Sequence, residues 1–125
     1  MRGINHVIIG GNLGRDPDIR SKPDGKKVVS FSVALSKKYK KDNGDPEETV
    51  QWVRVVCFSE LAEICEKTLL KGDEVVVDGA LLLSEWTDRD GKKVKSTEVL
   101  AKEVSFVSVR RWREKARVEG VQENF

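Results

Sequence analysis

Between Val50 and Ser59 the chain reads Val-Gln-Trp-Val-Arg-Val-Val-Cys-Phe-Ser, which has the period of a β-strand and a different chemistry on each side. Successive side chains on a strand point to opposite faces. Val53, Val55 and Cys57 therefore make an apolar face, while Trp52, Arg54, Val56 and Phe58 line up on the other. An aromatic, a cation, an aliphatic and a second aromatic make a poor core but a good platform for stacked bases and a phosphate. The competing reading places Trp52 and Phe58 in the core, since aromatics are favoured in strands anyway, and leaves Arg54 at a solvated edge.

Strand character recurs on both sides of this stretch. Ile4 to Gly11 is short and apolar, and Asn12 to Pro17 supplies the residues of a sharp bend. Ile19 and Arg20 resume an extended segment as far as Lys22-Pro23-Asp24-Gly25, a turn that joins antiparallel strands. From Val28 to Ser36 the rows separate cleanly, with Val29, Phe31, Val33 and Leu35 facing a core and Ser30, Ser32, Ala34 and Ser36 on the other side. Lys37 to Thr49 has no apolar period and predicts a long mobile connection. Its lysines around Tyr39 read either as a solvated charge run or as a finger for nucleic acid. Ser59 is placed to cap a helix with Leu61, Ile64, Cys65 and Thr68 or Leu69 on its apolar stripe and Gly72 as its stop. Glu74 to Ser84 returns to strand, with Gly79 marking a bend. Asp90-Gly91 closes a hairpin between arms that hold Trp86 and Val94, and the last strand runs to Val109 with a bulge near Ala101-Lys102-Glu103. From Arg110 the pattern dissolves into a basic segment.

A chain of 125 residues suits one compact domain. Its 23 basic and 21 acidic residues nearly balance, so overall charge does not identify a partner, but the cations cluster at Lys37 to Lys41 and Arg110 to Arg117. No apolar run approaches a membrane span or a signal-peptide core, which predicts a cytoplasmic protein with no membrane partner. Cys57 and Cys65 are expected as packed free thiols. No cluster with metal-ligand spacing, phosphate-binding glycine loop or nucleophile elbow occurs, and His6 lies within a strand. The expectation is therefore neither an enzyme nor a protein with a metal or other cofactor.

Five strands in the order β-β-β-α-β-β, with one short helix between the third and fourth, predict an all-β OB-fold, a small five-stranded Greek-key barrel. The residues go further. Gly11-Asn12-Leu13-Gly14-Arg15-Asp16-Pro17, Trp52 to Phe58, Leu61-Ala62-Glu63 with Leu70-Lys71-Gly72, and Glu85-Trp86-Thr87-Asp88 resemble the successive signatures of bacterial single-stranded DNA-binding proteins over about residues 2 to 109. The resemblance implies a DNA-binding barrel over residues 1–109 and a short basic tail over 110–125. It implies stacking by Tyr39, Trp52, Phe58 and Trp86, and phosphate contacts from Arg2, Arg20, Arg54 and Lys71, with Lys37 and Lys38 beside Tyr39. The implied role is to coat single-stranded DNA, without strong sequence preference, as a homotetramer in the nucleoid during replication, recombination and repair. Glu60 and Glu85 stand where familiar relatives carry lysine, and Tyr39 where they carry tryptophan. The tail departs most: Phe125 survives as a terminal anchor for replication and repair proteins, but few acids precede it. A related primosomal OB-fold protein, a dimer acting on a partner protein, is the alternative.

Overall fold

The computed structural model describes the backbone of residues 1–118 and the side chains of residues 1–115. In chain order the elements are β1 (Val7–Leu13), β2 (Asp18–Ser21), β3 (Lys27–Lys40), β4 (Pro46–Phe58), α1 (Ser59–Thr68), β5 (Glu74–Thr87), β6 (Lys93–Ser108) and α2 (Arg110–Val118). Neighbouring strands follow the order β1-β5-β6-β4-β3-β2, and β1 also pairs with β3 through Asn12 with Ala34 and Leu13 with Val33. That second pairing closes β1, β3, β4, β6 and β5 into the OB-fold barrel. Where β4 meets β6 the strands run parallel, Val55 beside Val99 and Val56 beside Leu100. β2 stays outside the closed ring, paired only with β3.

The inward rows foreseen on β3 and β4 fill the barrel with Val29, Phe31, Val33, Val55 and Cys57, and the structure adds Val75 and Val77 from β5 and Val99 and Val104 from β6, all buried. Each fully buried aliphatic of this size contributes roughly 1.5–3 kcal/mol. α1 covers one end through Ala62, Cys65 and Thr68, with Leu61 packed against the core; of the expected apolar stripe only Ile64, 43% exposed, turns outward, and Ala62 takes its place. The Sγ atoms of Cys57 and Cys65 lie 3.9 Å apart in the core. The hydrogen bond between them, together with burial, pushes the Cys57 thiol far above its usual range.

Two expected boundaries of α1 are corrected. Ser59 makes no capping bond; its backbone has φ of 55°, and the abrupt exit from β4 is made there. The helix ends at Thr68 rather than near Gly72, because Leu69 turns extended to bury its side chain under the barrel. The turn between α1 and β5 is organised by Asp73, 1% exposed, whose carboxylate accepts hydrogen bonds from the Leu70 N–H at 2.8 Å and the Arg110 N–H at 3.0 Å. β5 and β6 slip register between Asp78 and Gly79, which pair with Glu103 and Ala101, so Lys102 is the bulged residue. A Cβ at Gly79 would collide with the Leu100 carbonyl, which explains the missing side chain at the bend.

The largest correction concerns residues 37–49. These residues form a paired hairpin arm, with Lys37 opposite Thr49, Lys38 opposite Glu48, Tyr39 opposite Glu47 and Lys40 opposite Pro46. A tight turn closes it: Lys41 N–H donates to the Asp45 carbonyl at 2.8 Å, and Gly44 has φ of 86°. Both faces of the arm meet solvent, so nothing requires the apolar alternation by which strands are recognised. The main-chain ladder carries it, with side-chain contacts of Glu47 to Tyr39 and Lys41 across the pair.

Candidate nucleic-acid interface

The register of β3 against β4 sets the floor of the site. On the outer face Ser30 lies opposite Val56, Ser32 opposite Arg54, Ala34 opposite Trp52 and Ser36 opposite Val50. Small side chains on β3 leave the long ones of β4 standing above their neighbours. Trp52 is 59% exposed, and Phe58 is half-buried, so neither belongs to the core. Val56, on the same row, is buried beneath the parallel contact with β6.

The segment after β1 forms one wall. Arg15 and Ser32 border two adjoining open hollows of about 430 and 360 Å³, the first reaching Arg54 and the second Gly14 and Trp52. The Trp52 ring lies directly on Gly14, where an added Cβ would collide with it. Close backbone approach is what glycine permits at that position. Arg54 Nε pairs with Glu98 Oε2 at 3.3 Å, and Glu98 is largely buried. This contact orients the guanidinium and leaves it 54% exposed above the groove. At the Phe58 end, Lys22 Nζ sits 4.7 Å from the ring centroid, a cation held against the π-face.

Trp86 stands on the projecting arm of β5 and β6, opposite Val94 and 48% exposed. Its position along β5 has the outward parity of Leu82, the residue opposite Glu98, so the Arg54 pair and Trp86 share the barrel's outer side. Tyr39 differs. The register puts Lys38 and Lys40 on the row that continues Trp52 and Arg54, whereas Lys37 and Tyr39 continue the inward row past the end of the barrel. A hydrogen bond to the Glu47 carboxylate raises the Tyr39 hydroxyl above its ordinary range, and Glu47 also faces Lys41 Nζ at 3.7 Å.

The remaining expected contacts are spread out. Arg20 Nε is paired with Asp18 Oδ2 at 3.1 Å beside the first hollow. Lys71 lies behind the wall, its N–H donating to Asp16 Oδ1 at 2.7 Å. Arg2 is exposed in the segment before β1. Phe125 lies outside the described residues. Sequence reasoning passed over Arg15, Lys22 and Glu98 as site residues. The signal for Arg15 was present in its glycine-flanked bend, but the roles of Lys22 and Glu98 depend on contacts made only when the barrel closes.

The chemistry available is stacking and phosphate neutralisation. Exposed rings with guanidinium and ammonium groups between them can hold unpaired bases and their backbone, a combination tolerant of sequence because every base has a π-face. Duplex DNA offers the charges and hides the faces. Among the described residues, no group of three or more His, Cys, Asp or Glu is placed to hold a metal ion.

Comparison with known proteins bears on the family and the fold. The model of the single-strand binding protein family matches residues 4–107. The single-stranded DNA-binding protein 1 of Xylella fastidiosa (strain 9a5c) is 45% identical over 108 residues, which are 86% of this chain and 79% of that protein. Among solved structures, the Plasmodium falciparum SSB complex with ssDNA matches with a TM-score of 0.79 and 24% identity, over 86% of this chain and 98% of that one, a likeness of fold.

Proposed function

The chain belongs to the single-strand binding protein family, and we propose from that premise that it binds and coats single-stranded DNA during replication, recombination and repair. It is a binding protein rather than an enzyme. The observation that carries this reading is the outer row of β4, where Trp52, Arg54 and Phe58 stand over the small side chains of β3. Trp52, Phe58 and Trp86 stack on bases; Arg54, Arg15 and the lysines of the β3–β4 arm neutralise phosphates. Binding is then sequence-tolerant and weakens as salt rises.

Tyr39 with Lys37 and Lys38 meets the strand as the arm folds over it, and Arg2, Arg20 and Lys71 contact the backbone at the margins. The protein acts in the cytoplasm, on the nucleoid, as a homotetramer paired through the exposed edge of β1, and Phe125 gives replication and repair proteins a minor hydrophobic anchor. No described helix is long and apolar enough to cross a membrane.

Fluorescence anisotropy with a labelled oligo-dT tests the function. The labelled strand should bind, and unlabelled duplex of the same length should compete poorly. Equal competition by duplex, or no binding to the single strand at low salt, would refute the reading.

A further inference from the structure

The basic segment after the barrel is a docked helix. Asp73 accepts the Arg110 N–H at 3.0 Å, Arg111 Nη1 donates to the Lys67 carbonyl at 2.7 Å, and the Arg113 guanidinium bonds the Ser108 hydroxyl. Trp112 meets Phe106 edge-on with ring centroids 5.4 Å apart. Contacts to β6, α1 and the turn before β5 thus fix the side of the barrel on which α2 lies.

That side is continuous with the groove. Arg54 and Arg15 border one hollow. Asp16, next to Arg15, holds the Lys71 N–H, and Leu70 shares the Asp73 carboxylate with Arg110. Arg111 then reaches back to Lys67. Arg54 and Arg15 share that hollow, and from Arg15 the exposed cations follow as Lys71, Lys67, Arg111 and Arg110, each joined to the next through a contact or a short run of chain. Of the acids along the route, Asp73 is buried between two N–H donors, Glu66 is paired with Lys27 Nζ at 2.6 Å and Glu98 with Arg54 Nε at 3.3 Å; Asp16, Asp18, Glu63, Glu74 and Glu114 are exposed. With Arg113 and Lys115 of α2 beside the six, cations keep a small majority.

We propose that Lys67, Lys71, Arg110 and Arg111 form a second phosphate-binding stretch, so that a single strand leaving the β4 groove continues past the Lys71 turn onto α2. The occupant is the sugar-phosphate backbone of single-stranded DNA, recognised by charge without stacking. The proposal rests on the function given above and extends the length of strand that one protomer holds.

The test compares poly-dT with a short oligo-dT at the low end of the roughly 4–16 nucleotides that a barrel of this class covers. In the full chain, Arg110→Ser/Arg111→Ser should leave affinity for the short oligonucleotide unchanged. It should lower the slope of log K against log salt for poly-dT by about 1.4, two contacts at about 0.7 each. Arg110→Lys/Arg111→Lys, which keeps the charges but not the Arg111 fork, should restore the slope. An unchanged slope in the serine variant would overturn the proposal. A lost slope that lysine does not restore would also overturn it, assigning the arginines to docking the helix. Failure of the unmodified chain to bind the short oligonucleotide would instead refute the underlying function.

Discussion

Trp52 keeps its ring exposed because Gly14 offers a flat backbone seat and Ala34 a low neighbour. Gly14→Ala should therefore lift the ring, shift its emission and weaken oligo-dT binding while changing the unfolding midpoint little, as fluorescence and urea titration of one sample would show. Strand parity was enough to place Trp52 and Arg54 outside and Val55 and Cys57 inside. It gave no hint of Glu98 beside Arg54 or Lys22 over Phe58, because those partners come from elements that only barrel closure brings near. The two cysteines were also readable as packed thiols, and both are buried. A thiol reagent at about pH 8, near the ordinary thiol range, should label neither until denaturant is added. Rapid labelling of the native chain would contradict the packing described.

Elements with an apolar row were foreseen, as was the exposed β2 beside its Pro23-Asp24-Gly25 turn; the β3–β4 arm and α2, which have no apolar row, were not. The β3–β4 arm has charged residues on both faces and no apolar row, so its ladder left no trace in the pattern. α2 is likewise a helix whose mean hydropathy is low and whose position depends on Asp73, a residue that reads as an ordinary turn aspartate. Removing residues 39–46, replaced by a short glycine-containing turn, should leave the thermal midpoint nearly unchanged and reduce the salt slope of poly-dT binding, since Lys40 and Lys41 go with it. A large loss of stability would mean that the arm packs on the barrel. Asp73→Ala leaves the partly buried Leu70 and Arg110 N–H groups without their acceptor, at up to about 1–3 kcal/mol each. Urea unfolding should show a loss on the order of 2 kcal/mol or more.

At the scale of the whole molecule, the barrel leaves exposed apolar side chains on and before β1 and along β5, among them Ile4, Ile8 and Leu83 at 88%, 61% and 73% exposure. Asn5 extends the β1 edge by bonding the Leu81 backbone through its side-chain amide in both directions, at 2.9 and 2.7 Å. A free strand edge beside apolar residues is a surface for another copy of the chain. Light scattering at micromolar concentration should give the mass of four chains, and a monomer mass would remove the proposed assembly. The groove needs no second copy to be complete, which separates the oligomer from the binding chemistry. The central claim is that exposed rings on one outer side of the barrel hold unpaired bases. It is tested most directly by titrating Trp52→Ala/Trp86→Ala with oligo-dT, after circular dichroism and mass have shown the parental fold and assembly. The variant should lose about 2–6 kcal/mol of binding, two stacked bases at about 1–3 each; parental affinity in that folded variant would contradict the account.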